Sequence, residues 1–251
     1  MSASDNPLTP SPTDLPGQRA IKRLSGAFAW VFPILMVAIV AQVILRKAGM
    51  NQAWLDDLQW WLYGAAMMVG FAYAIATESH VRVDILHAGY SPEKKARIEV
   101  FALGWLLLPF LAVMTDLTLH YAFASIAAQE GSDSPNGLHH LYLLKSAVPL
   151  LFIAAIVATW SGMRNHLKTL EFKGFAACLI GALPFVWFVC ERVAVYGMWW
   201  GVRLSDAEMK PRRILKEPMF EHSAWIGLVL FVILLVLTLF WDRRTRANKD
   251  H

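Results

Sequence analysis

The chain alternates long apolar runs with short charged ones. Leu24 to Leu45, Leu58 to Thr77, Glu99 to Phe123, Leu141 to Met163, Phe175 to Trp200 and His222 to Trp241 each hold twenty or more residues with few charges between their ends. Twenty residues at ~1.5 Å rise cover the ~30 Å of bilayer hydrocarbon, so each run is long enough to cross once as a helix. The pattern predicts an all-α integral membrane protein of about six transmembrane helices. Pro33 is expected to kink the first, a break tolerated where neighbouring helices re-satisfy the backbone.

The second run organises the rest. Trp60, Trp61 and Tyr63 lie at its start, where amphipathic rings favour the headgroup layer. Ala66, Gly70 and Ala74 recur at every fourth position, a spacing that lets another helix approach closely; small residues are also simply common in membrane helices. The run breaks at Glu78 into His80-Val81-Arg82-Val83-Asp84-Ile85-Leu86, which reads as an elbow where the chain leaves the lipid.

The connecting segments follow from their chemistry. Residues 1–18 are rich in Pro, Ser, Thr and Asp and read as a disordered tail. The first run is too long for a signal core and no small-x-small site follows it, so it reads as an uncleaved span. Gln129 to Gly137 holds Glu130, Asp133 and many turn formers and reads as an exposed loop, with Lys145 and Pro149 just beyond it in the fourth run. Asp116, and likewise Glu191-Arg192, sit ~26 Å from the start of their runs. Asp116 is expected to be a solvated interfacial carboxylate, and the adjacent Glu191 and Arg192 to snorkel apart to the interface. The last run has no small-residue face and is expected to be lipid-exposed and peripheral.

Composition excludes an ordinary soluble domain: 57% of residues are hydrophobic and 11 of 251 are Trp. The net charge of +4 comes from Lys and Arg clustered between apolar runs, which sets topology and makes no phosphate-binding face, so nucleic acid is not an expected partner. With the N-terminus inside, the cytoplasmic segments carry fourteen basic residues, against Arg46 and Lys47 in the first outer loop and five in the 203–221 loop. The positive-inside rule therefore places both termini in the cytoplasm. Cys178 and Cys190 share one predicted helix and cannot meet, so neither a disulfide nor a metal site is indicated. No phosphate loop, HExxH, CxxC or GxSxG with partners is present. Without a ladder of intramembrane charges or an internal repeat, the chain suits an accessory membrane subunit better than a stand-alone pump.

The end of the second run with His80-Val81-Arg82-Val83-Asp84 resembles the signature of the small membrane subunit (Q subunit, DctQ-like) of tripartite ATP-independent periplasmic (TRAP) transporters. The stretch from Glu130 through Ser134-Pro135 and Gly137-Leu138 to Lys145 and Pro149 is similar to that family's second characteristic region. The likeness covers about residues 24–163. It implies a four-span small-permease core at 19–173, with 174–251 adding two C-terminal spans and a cytoplasmic tail.

The resemblance further implies a non-enzymatic subunit without a cofactor of its own in a bacterial inner membrane. Its partners would be a large membrane subunit driven by a sodium gradient, a periplasmic substrate-binding protein that captures a small organic acid, and membrane lipid. Arg82 and Asp84 would pair with each other or with the large subunit, and His80 would cap the helix end or meet a headgroup. Solvated interface residues are the plain alternative. Lys145 would anchor the fourth span, touch the binding protein, or simply snorkel. A rival reading is the haem b or quinone-binding anchor of a redox enzyme. His120 at the end of the third span and His139 and His140 at the start of the fourth make one axial pair conceivable, but no His lies mid-span for a second haem.

Overall fold

The computed structural model describes residues 8–11, 14–79, 89–172, 174–205 and 211–247. Among them every regular element is a helix: α1 (Pro16–Phe28), α2 (Val31–Lys47), α3 (Ala53–Thr77), α4 (Pro92–Ala127), α5 (Leu141–Thr169), α6 (Phe175–Gly181), α7 (Leu183–Ser205), α8 (Pro211–Ile214), a 3-10 turn (Pro218–His222) and α9 (Ser223–Ala247). Five segments are long and apolar enough to cross a membrane: Pro16–Lys47, α3, α4, α5 and Pro218–Thr245. A sixth is obtained if α6 and α7 count as one broken span.

Four prolines meet the same problem in four ways. Proline cannot donate to the carbonyl four residues before it and crowds that turn. Before Pro33 the helix is interrupted at Ala29–Trp30, where the Trp30 N–H turns to the Ala27 carbonyl at 3.3 Å. Before Pro109, α4 widens into a π-helical turn, Ala102–Leu107, and Leu108 N–H reaches the Leu103 carbonyl five residues back. Pro149 is buried inside α5, which runs through it unbroken. Before Pro184, α6 stops at Gly181, Ala182 leaves helical geometry (φ −119°, ψ 34°) and α7 departs at 91°. The straight fifth span expected over Phe175–Trp200 is therefore two helices meeting at a right angle.

The chain forms two compact units, residues 1–88 with 110–162 and residues 89–109 with 163–251. In the first, α1 begins at Pro16, inside the stretch expected to be a disordered tail. Leu15 N–H donates to Gln18 Oε1 at 3.0 Å, Pro16 fills a position that needs no donor, and Lys22 pairs with Asp14 at 2.7 Å. Burial pushes the Asp14 carboxyl up, but hydrogen bonds from Lys22 and the Ser11 N–H outweigh it and hold it below the usual carboxylate range. Gly17 crosses α5 so closely that a Cβ would overlap the Ser161 hydroxyl. Gln18 Nε2, buried, donates at 3.1 Å to the Ala76 carbonyl, one of those left without an intrahelical partner where α3 ends. The core of α3 is Ala66, Val69, Ala72, Ile75 and Ala76. By contrast, α2 buries only Leu35 and Gln42, so its apolar surface faces lipid or another chain.

In the second unit, the π turn of α4 packs on α6. A Cβ at Gly104 would overlap the Gly181 carbonyl oxygen and come 3.0 Å from Met163 Sδ. That contact joins the start of α4 to α6 within this unit.

Helices α7 and α9 run antiparallel. Gly227 lies against Glu191, where a Cβ would stand 2.7 Å from Glu191 Cα, and Trp187 Nε1 donates to the Ala224 carbonyl at 3.1 Å. Glu191 accepts from Arg192 at 3.1 Å and from Ser223 Oγ at 3.2 Å. Contrary to expectation, Glu191 and Arg192 pair, because the serine at the start of α9 fixes the carboxylate. The last helix also docks through Gly227 and Phe231, a small-residue contact that its Leu- and Val-rich composition hides. Beyond Arg192, α7 continues ~20 Å past the start of α9.

Candidate functional site

The polar residues of the first unit gather where α2 ends, α3 begins, and α4 passes through a loop into α5. The loop is built on two left-handed residues, Gln129 (φ 48°) and Asn136 (φ 62°). Ser132 N–H donates to the Leu138 carbonyl at 2.8 Å, closing it on itself. Gly137 is required: a Cβ there would overlap the Ser132 side chain and come 3.0 Å from Asp57 Oδ2. Two bonds strap the loop to the first turn of α3, from Leu138 N–H to Asp57 Oδ2 at 3.1 Å and from Trp54 N–H to the Asn136 carbonyl at 3.0 Å. Asp56, next to Asp57, accepts from Gln42 Nε2 and from Arg46 Nη2 (3.3 Å) at the end of α2.

Glu130 is the centre of this assembly. Its carboxylate pairs with Lys145 and accepts from Ser125 Oγ at 2.7 Å, its N–H donates to the Ser125 carbonyl at 3.1 Å, and its carbonyl accepts from Tyr142 N–H at 3.3 Å. The Lys145 ammonium also stands 4.6 Å above the Tyr121 ring. The Lys145 hydrogen bond, followed by that of Ser125, holds the Glu130 carboxyl below the usual carboxylate range. With its side chain only 13% exposed, Lys145 ties the end of α4 to the start of α5 instead of snorkelling.

Of the residues singled out in the sequence, Glu130, Lys145 and, one turn on, Pro149 come together here. Ala66 lies elsewhere, in the core of α3. Gly70 faces outward with nothing within 4 Å of a Cβ, and Ala74 is half-buried, so the three do not form one packed stripe within this chain. His80, Arg82 and Asp84 lie outside the described residues; the helix before them ends at Glu78, a left-handed cap (φ 54°). Gln42, Asp56, Asp57 and Ser125 were not anticipated. The only signal for them is an Asp pair at the start of an apolar run.

The rival haem reading gains no geometry. His120 Nδ1 contacts the Asp116 carbonyl in its own helix at 2.9 Å, and the His140 ring packs edge-on to Tyr142. Asp116 is half-buried, and α4 runs three turns beyond it to Ala127. Among the described residues no group of three or more His, Cys, Asp or Glu could hold a metal ion.

No significant match is found among curated proteins or among solved structures. The profile of the family described as "Tripartite ATP-independent periplasmic transporters, DctQ component" matches residues 35–169. That range is more than half of the chain, contains the Glu130–Lys145 assembly, and ends where α5 ends. The chain belongs to the DctQ family, the small component of TRAP transporters.

Proposed function

We propose that this subunit is the fixed membrane partner of a large TRAP subunit, which carries a small organic acid inward on a sodium gradient after a periplasmic binding protein delivers it. In this reading the chain sits in the inner membrane with both termini cytoplasmic, and the 128–140 loop faces the periplasm. The observation that carries the reading is how the charges inside the family region are used. Lys145 is spent on Glu130 and Asp57 on a loop N–H, so these groups brace helix ends and leave translocation to the partner. The large outward apolar surface of α2 suits a chain that widens a static frame in the bilayer.

The elbow is assigned to the same interface. In this reading Arg82 and Asp84 are the elbow residues that meet the large subunit, and outward-facing Gly70 gives a partner helix room to approach α3. Proteoliposomes holding the chain, its large subunit and the binding protein, offered dicarboxylates, 2-oxo acids, sugar acids and aromatic acids under a sodium gradient, test the whole reading. Accumulation should require all three proteins. Accumulation driven by this chain alone would overturn it.

A further inference from the structure

The second unit contains a cavity of about 540 Å³ between the end of α5, the whole of α6 and the end of α9. Its walls are apolar or small: Leu167, Ala176, Ala177, Ile180, Gly181 and Leu239. Three charged residues also line it: Glu171, Asp242 and Arg243. Asp242 is already engaged, accepting from the Ala176 N–H at 3.0 Å. Among the described residues neither Glu171 nor Arg243 has an ion-pair partner.

The position of the cavity along the helices identifies the class of ligand. Asp242 and Arg243 end the apolar run of α9, and Glu171 lies two residues past the end of α5, so these charges stand where two membrane helices reach the headgroup layer. A cavity that is apolar below and charged at the headgroup level matches a phospholipid. The charges select among lipids. A choline headgroup has no N–H for Glu171. A phosphate beside a primary ammonium satisfies both charges, Arg243 donating to the phosphate and the ammonium donating to Glu171.

We propose that this cavity binds one phospholipid with a zwitterionic, primary-amine headgroup, its phosphate on Arg243 and its ammonium on Glu171. All of α6 and the end of α9 lie outside the DctQ match, so the lipid fastens the added helices to the end of the family core. The test uses the full-length chain in mild detergent, stripped of lipid and re-supplied in turn with phosphatidylethanolamine, phosphatidylcholine or phosphatidylglycerol, with bound lipid counted by native mass spectrometry. One phosphatidylethanolamine should be held per chain, about tenfold tighter than phosphatidylcholine. Glu171→Gln should abolish that preference, Arg243→Ala should weaken all three lipids, and Ala177→Phe should fill the cavity and release the lipid without lowering the unfolding temperature. Equal retention of the three lipids by the native chain, or retention unchanged by Glu171→Gln and Arg243→Ala, would overturn the proposal.

Discussion

Lys145 pairs with Glu130 across fifteen residues, and through that pair the turn between α4 and α5 becomes a rigid part of the membrane bundle. The carboxylate is held by Lys145 and by Ser125, and the Glu130 main-chain carbonyl accepts from the Tyr142 N–H. Lys145→Ala should therefore free the loop as well as one charge. Faster hydrogen exchange is expected over residues 128–140, with α3 unchanged after its first turn; uniform protection in the variant would contradict this.

The same pair sets a pH dependence. Because the folded Glu130 carboxyl titrates below its unfolded value, its contribution to stability is complete above the ordinary glutamate range, from about pH 5.5 upward, and disappears as pH falls through the depressed folded value. Thermal unfolding of the native chain and of Glu130→Gln, followed from pH 7 to pH 3, should show a gap in Tm that closes at the acid end. A gap that widens on acidification would reverse the assignment.

Close helix crossings mark where small residues are indispensable. Gly104→Ala drives a Cβ into the Gly181 carbonyl and should cost about 1–3 kcal/mol, whereas Gly70→Ala, in open space, should stay within about 0.5 kcal/mol in detergent. Gln18→Ala strips the Ala76 carbonyl of its buried donor and should also cost about 1–3 kcal/mol. Chemical unfolding of the three variants gives the order directly.

The end of α7 is expected to stand outside the lipid. Glu191 meets Ser223 and Gly227 at the start of α9, so the residues after Arg192 run past the level at which that span begins. In a chain carrying Cys178→Ser and Cys190→Ser, a membrane-impermeant maleimide applied to spheroplasts should label Trp200→Cys and Leu204→Cys but not Leu237→Cys. Labelling of the first two only after the membrane is dissolved would place α7 wholly within the bilayer.

Hydropathy alone located the membrane-crossing segments, because twenty apolar residues in lipid leave few alternatives to a helix. It could not show what each proline does. Pro149 and Pro184 sit in equally apolar runs, yet one is absorbed in an unbroken helix and the other follows a right-angle turn, the difference lying in the non-helical Ala182 between Gly181 and Leu183. Glu130 and Lys145 were legible as a charged loop and a cation near its end. Their bond was not, since it depends on where α4 stops. Asp57 and Gln42 were missed because a polar residue at a helix end reads the same whether it faces water or straps a loop.

The central claim is that this DctQ-family chain works as a bound frame for a larger mover. Affinity purification of the tagged chain from its native membranes in mild detergent, with the co-purifying protein identified by mass spectrometry, tests it most directly. The account predicts a TRAP large subunit in equal amount, lost when Arg82 and Asp84 are both changed to Ala. Recovery of the chain alone, or with a haem-bearing enzyme and a Soret band, would contradict it.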